Sequence, residues 1–175
     1  MLTPDLLRDK FVAGLAYEPY VATGTAEHRA DWAKRQGRVE LTESHRKLIE
    51  SFTRRVHLVV LSGTWCGDSA AQGPMLAAIE SANPELVVVR FLDRDEHRDL
   101  ADLVAVGGQS RVPTAIACDE DFFPLRYLGD RSLARLRASA AADGGYPTGD
   151  HHAQTLQDWV DFVEWAQLFC RLNPR

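Results

Sequence analysis

Leu7, Phe11 and Leu15 recur at every fourth position after Thr3-Pro4, an N-cap followed by proline at the first helical position. The spacing predicts a helix to about Tyr17, ended by Glu18-Pro19. A second helix is predicted over Glu27 to Gln36, with Trp32 facing inward and Gly37 as its C-cap. Thr42 caps a third, whose Leu48, Ile49 and Phe52 form an apolar stripe. The period then changes. Val56-His57-Leu58-Val59-Val60-Leu61 is a short β-branched run, read as a buried strand. A loop from Ser62 to Asp68 leads into a helix over Ala70 to Ser81 that contains Pro74.

Leu86 to Leu92 is a second buried strand. Asp93, with Glu96 three residues on, has the pattern of a capping box and predicts a helix to about Val106. After the loop Gly107-Gly108-Gln109-Ser110 come strands over Thr114 to Cys118 and Phe123 to Leu128, joined by a tight turn at Asp119-Glu120-Asp121. Arg131 to Ala142 reads as a helix, Asp143 to Asp150 as a loop, and Gln154 to Leu172 as a long amphipathic helix. The order β-α-β-α-β-β-α implies a mixed sheet: a parallel pair with a crossover helix, and an antiparallel hairpin.

The chain is 175 residues, a length that suits one domain. We expect a helical leader at 1–37 packed on a core at 42–138, with the C-terminal helix at 154–172. Phe11, Leu15 and Trp32 give the leader its reason to pack, since each needs an apolar surface. Net charge is −5, which argues against nucleic acid or an anionic membrane as partner. No apolar run approaches the ~20 residues of a membrane span, and the start lacks the regions of a secretory signal, so a cytoplasmic location is expected. The three cysteines, Cys66, Cys118 and Cys170, are odd in number and far apart, unlike a disulfide framework.

Cys66 stands between a buried strand and a helix start. Unpaired N–H groups there and the positive end of the helix dipole favour thiolate over thiol. Trp65 beside it offers a flat apolar surface to shield the sulfur or dock a peptide. The plain alternative is a small buried residue that ends a strand. His151-His152 after Gly149-Asp150 reads as solvated and not as a metal site. His57 reads as a partly buried strand residue with a satisfied ring. Trp32, Trp159 and Trp165 read as packing under helices. No phosphate-binding loop or zinc-type cysteine spacing occurs, and no cofactor or metal is expected.

Trp65-Cys66-Gly67-Asp68-Ser69 resembles the thioredoxin active-site motif Trp-Cys-Gly-Pro-Cys. Pro74 matches the proline that kinks the active-site helix. Val112-Pro113-Thr114 is similar to the segment whose cis-proline faces the cysteines, and Gly129 matches the glycine flanking the substrate groove. The resemblance covers about Thr42 to Ala138. More narrowly, Asp93-Arg94-Asp95-Glu96 and Ser110-Arg111-Val112-Pro113 resemble a bacterial thioredoxin-like group with a helical leader. It implies an α/β thioredoxin fold, a mixed β-sheet flanked by helices, with an N-terminal helical extension and a long C-terminal helix. It implies Cys66 and Ser69 at the catalytic positions. Trp65, Gly67, Asp68, Arg111, Val112, Pro113 and Gly129 would form the substrate groove. The expected partner is a protein or a low-molecular-weight thiol or disulfide.

Two departures qualify the resemblance. Ser69 replaces the second cysteine, which thioredoxin-type reduction uses to resolve the mixed disulfide. Val60 stands where thioredoxins carry a buried aspartate. Cys118 lies roughly 16 Å along the strand from Pro113 and makes a poor substitute resolver. Asp68 works against a neighbouring thiolate, and Arg111 would offset it only if it reached Cys66. Cys-Gly-x-Ser is also similar to monothiol glutaredoxins, but Gly63-Thr64 stands where their lysine precedes the cysteine, so no cluster is expected. Three readings remain: single-thiol exchange at Cys66, a thioredoxin-fold binding or adaptor module that turns nothing over, and a structural cysteine with an unrelated site elsewhere.

Overall fold

A computed structural model describes residues 1–141 and 151–173. Helix α1 spans Pro4–Ala13, with the Thr3 hydroxyl accepting the Leu6 N–H at 3.3 Å. It stops before the predicted Tyr17. The Gly14 N–H closes onto the Lys10 carbonyl at 2.9 Å, and a Cβ at Gly14 would lie 2.8 Å from Arg90 Cβ. Leu15 then leaves the helix and exchanges two backbone hydrogen bonds with Phe91, at 2.9 and 2.8 Å. Glu18-Pro19 starts a helix instead of ending one: α2 spans Tyr17–Ala22. Proline is tolerated there because the N–H groups of a first turn have no intrahelical partner.

Helix α3 spans Ala26–Gln36 and α4 spans Glu43–Glu50. Both open on a reciprocal cap in which a threonine (Thr25, Thr42) pairs with the histidine three residues on (His28, His45). Phe52 lies beyond α4 but is buried as its stripe predicted.

Strand β1 covers Val56–Ser62, helix α5 Gly67–Ala82 and strand β2 Val87–Asp93. The helix predicted from Asp93 to Val106 is shorter: α6 spans only Arg98–Leu103. Asp93 Oδ1 accepts the N–H of Asp95 at 2.8 Å, so its side chain closes a turn two residues on and does not cap a helix. Strands β3, Thr114–Cys118, and β4, Pro124–Leu128, form the expected hairpin. Asp119 Oδ1 accepts the N–H groups of Asp121 and Phe123 and holds the turn. Helix α7 spans Leu133–Ala141, and α8 spans His152–Leu172. The predicted loop at 143–150 and Ala142 lie outside the described residues. Among those described, no helix is long and apolar enough to cross a membrane.

The sheet order is β2-β1-β3-β4, with β1 parallel to β2 and antiparallel to β3. This is the α/β thioredoxin architecture, a mixed sheet flanked by helices and finished by the long α8. Side chains alternate across β1, as strand geometry requires. Val56, Leu58 and Val60 face a core of Trp32, Ile49, Leu76, Trp159 and Phe162, whereas Val59 and Leu61 face Leu7, Leu92, Leu100 and Ile116. The leader straddles the β2 edge. Leu7 of α1 serves the second core, and Tyr17, Tyr20 and Trp32 serve the first. Leu15, by contrast, leaves its side chain 39% exposed and acts through its backbone, covering an edge that would otherwise invite pairing. Trp165 also departs from the expectation of burial. It is 39% exposed, stacked on Phe169 and overlain by Arg126 at 4.9 Å.

Candidate functional site

The chain leaves β1 at Ser62 and turns through Gly63, Thr64 and Trp65 into Cys66, the N-cap of α5. Gly63 lets the Trp65 ring lie against the backbone: a Cβ would sit 2.6 Å from the indole and push it aside. The Cys66 N–H donates to the Gly63 carbonyl at 3.0 Å, and the Cys66 carbonyl accepts from Ala70 at 2.9 Å. The first turn of α5 thus begins directly after the sulfur-bearing residue, whose side chain does not cap it. Cys66 is half-buried against the Leu7–Leu92 core.

Opposite Cys66 stands the segment before β3. The Val112–Pro113 peptide bond is cis, and Cys66 Sγ lies 3.7 Å from the Val112 carbonyl oxygen, to which the thiol donates. Val112 and Pro113 are buried. Thr114 braces the segment, its hydroxyl donating to the Arg111 carbonyl at 2.8 Å. Gly129 lies beside Thr114, and a Cβ there would meet Val106 at 3.2 Å.

Ser69 is fully buried, and its hydroxyl has no hydrogen-bond partner among the described residues. Pro74 is buried within α5, and Val60 is buried mid-strand between Phe91 and Ala115. The Asp68 carboxylate meets Arg135 of α7 at 2.5 Å. Arg111, considered above as a partner for the sulfur, instead meets Asp130 at 3.4 Å. The charge of Asp68 is therefore offset from α7, far along the sequence.

Several residues that build the loop were missed in the sequence. Trp32 of the leader donates its indole N–H to the Thr64 carbonyl at 2.9 Å. The same ring fills the space above Gly73, where a Cβ would lie 2.5 Å from it. Arg35 of α3 brings its guanidinium within 3.8 Å of a Cβ built at Gly67. Arg94 lies over the Trp65 ring at 4.7 Å, and its Nη1 reaches the Ser110 carbonyl at 3.4 Å. It therefore ties the loop of Trp65 to the loop that leads to Pro113. The Asp-Arg-Asp-Glu run carried that signal, but capping absorbed it.

The other two thiols differ from Cys66. Cys118 is fully buried, and burial pushes its pKa up to about 12. Cys170 is buried in α8, with its carbonyl accepting from Arg54 at 2.8 Å. His57 is buried, its Nδ1 3.0 Å from the Asp119 carbonyl and its ring stacked 4.3 Å from Phe122. His151 and His152 stand at the start of α8, half-buried and not in an open loop. Among the described residues no group of three or more His, Cys, Asp or Glu side chains could hold a metal ion.

Two solved structures superpose on most of the chain. A protein of unknown function from Pseudomonas aeruginosa matches with a TM-score of 0.76 at 21% identity, over 90% of this chain and 96% of that one. An HIV epitope-scaffold matches with a TM-score of 0.76 at 20% identity, over 90% and 97%. Both likenesses speak to the fold alone. No curated protein matches the sequence. The family model described as thioredoxin matches residues 14–138, from the last turn before the leader's β-bridge to α7. That span holds the half-buried Cys66 at a helix start, the cis Val112–Pro113 bond opposite it and the mixed sheet that positions both, and the chain belongs to the thioredoxin family.

Proposed function

We propose that this protein carries out thiol–disulfide exchange through Cys66 alone. The observation that carries the reading is the sulfur's position: half-exposed at the N-cap of α5, 3.7 Å from the Val112 carbonyl, with the other two cysteines buried. The Cys66 thiolate attacks one sulfur of a disulfide. A Cys66–S–S–R bond forms, the old S–S bond breaks, and the second sulfur leaves as a thiolate that takes up a proton. Ser69 has no sulfur to attack this adduct. An external thiol must clear it, so the cycle consumes one small thiol or partner thiol for each resolution.

The substrate groove runs over Trp65, Gly67, Asp68, Arg111, Val112, Pro113 and Gly129. The backbone of Val112 offers strand-like pairing to an extended peptide, and Trp65 offers an apolar face. The partner class is a protein or a low-molecular-weight disulfide. A reducing, cytoplasmic setting suits three free cysteines.

One observation favours a second reading, a binding module that keeps the groove without turnover. Val60 stands where thioredoxins carry a buried aspartate, so that position supplies no proton acceptor. Mass spectrometry after exposure to oxidised glutathione separates the two, with Cys66→Ser as control. Exchange requires an adduct at Cys66 that external thiol releases. No adduct, or one mapped only to Cys118 or Cys170, transfers the assignment to the binding module.

A further inference from the structure

Beside the Cys66 loop, a cavity of about 200 Å³ opens between the leader and the end of β2. Its apolar side includes Leu15 and Phe91, and its polar side includes Tyr20, Thr64, Asp93, Glu96 and His97, an imidazole that burial and Lys10 hold towards its neutral form. That volume is below the ~300–1,000 Å³ of drug-sized sites, so its occupant is small.

Three observations set its chemistry. Tyr20 is 2% exposed, and its hydroxyl has no hydrogen-bond partner of ordinary geometry among the described residues. The hydroxyl nearest to it is that of Ser62, itself buried and with no other partner among the described residues. Burial above all pushes the phenol pKa up; the Ser62 hydroxyl pulls it back and the charges of Asp93, Cys66 and Glu96 add to the rise, so the hydroxyl, which lines the cavity, stays protonated. A buried hydroxyl left unpaired costs about 1–3 kcal/mol, and native proteins satisfy such groups with water or a ligand.

Second, the two carboxylates are uncompensated. Lys10 is held by Asp99 and His97, while Arg94 turns to Asp95 and Trp65. Among the described residues no cation pairs with Asp93 or Glu96; Asp93 accepts only the Asp95 N–H. Third, no set of three metal-ligating side chains lies here among the described residues, and one side of the mostly polar wall, at Leu15 and Phe91, is hydrocarbon. A bare ion would leave that wall unused, whereas an alkyl chain would cover it.

We propose that this cavity binds a small organic cation, a primary ammonium carried on a short hydrocarbon arm. The ammonium has three N–H donors. Two go to Asp93 and Glu96, and the third goes to the Tyr20 oxygen, whose own proton is donated to a carboxylate. The arm lies on Leu15 and Phe91. The site is separate from Cys66 and does not depend on exchange chemistry there. Thr64 nonetheless lines it, two residues before the sulfur, and its carbonyl anchors Trp32.

The test is an NMR titration of the full chain with butylammonium chloride, with 1-butanol and sodium butyrate as matched neutral and anionic probes. The amides of Leu15 and Phe91 are the reporters, since each is pinned to the other's carbonyl. Saturable shifts with butylammonium alone are expected. Asp93→Asn and Glu96→Gln should each weaken binding by about tenfold, and Tyr20→Phe, which keeps the ring packing, by a smaller factor. Glu96 is exposed, so its variant folds and keeps the test decisive. No saturable shift, an equal response to 1-butanol, or unchanged affinity in both carboxylate variants would overturn the assignment.

Discussion

Strand β3 has a sulfur at each end of its neighbourhood, and the two ends are built differently. At its start, Cys66 faces Val112 across a gap walled by loops, with its partners supplied by α3, α5 and α7. At its finish, Cys118 is sealed beside His57 on the neighbouring strand, and the rings of Phe11 and Phe122 close over that histidine. The same residue type has opposite surroundings because one site ends a strand and begins a helix, while the other lies inside the sheet. Exposure and the helix N-terminus make a thiol usable; desolvation makes it inert.

The largest expected effect is on labelling. A thiol reagent applied to the folded protein should modify Cys66 and leave Cys118 and Cys170 unmodified until the chain unfolds. Cys66→Ser should abolish labelling under native conditions. Peptide mapping reads the result directly, and native labelling of Cys118 would erase the contrast between the two ends.

Next comes Ser69→Cys. The Ser69 hydroxyl has no partner to lose among the described residues, so a thiol can take its place there without breaking a hydrogen bond. If Cys66 forms mixed disulfides, the new thiol should resolve them and raise insulin-reduction turnover severalfold over wild type. A variant that folds but remains as slow as wild type would mean that more than the missing sulfur limits the site, with Val60 the first suspect.

A third effect tests how far the leader belongs to the Cys66 end. Trp32→Ala removes a fully buried ring and the donor to Thr64. Large-to-small aromatic changes cost about 3–5 kcal/mol. Chemical denaturation should show a loss of that size, and the native labelling rate of Cys66 should change with it. A loss under about 1 kcal/mol would show that the ring is not the strut that its burial implies.

The legible parts of this site were those fixed by local pattern. The β-branched run of β1, the threonine caps of α1 and α4, and the Trp65–Ser69 and Val112–Thr114 motifs each occupy a few consecutive positions. What was hidden depends on partners distant in sequence. Leu15 continues the helical spacing of Leu7 and Phe11, yet Gly14 and the open edge at Phe91 draw it into a β-bridge. Pro19 reads as a stop or as a first-turn residue according to where the chain has already turned. Asp93 and Glu96 fit a capping box, but the side chain of Asp93 closed a shorter turn first. Arg111, read as the cation that could offset Asp68, goes to Asp130, and it is Arg135, from a helix far along the chain, that reaches Asp68.

The smallest effect probes the sealed end through pH. Burial lowers the His57 pKa from its ordinary 6.5, more than its hydrogen bond to the Asp119 carbonyl raises it. Above about pH 6.5 the imidazole is neutral in both the folded and unfolded chains, and its contribution to stability is fully present. As pH falls below that value, the unfolded chain takes up a proton and the folded chain does not. Stability therefore falls with pH, by at most about 1.4 kcal/mol per pH unit, and the loss stops growing below the folded pKa. His97 is shifted in the same direction, by burial and then by Lys10, so the wild-type profile alone cannot assign the slope. His57→Phe isolates it, because phenylalanine keeps a ring between Phe11 and Phe122 and binds no proton, while His97 is unchanged. Losing the Asp119 hydrogen bond displaces the variant's whole curve by a constant. Urea midpoints between about pH 7 and about pH 5.5 should fall more steeply for wild type than for the variant. Parallel curves would mean that protons reach His57 in the folded protein, and that the Cys118 end is wetter than its packing implies.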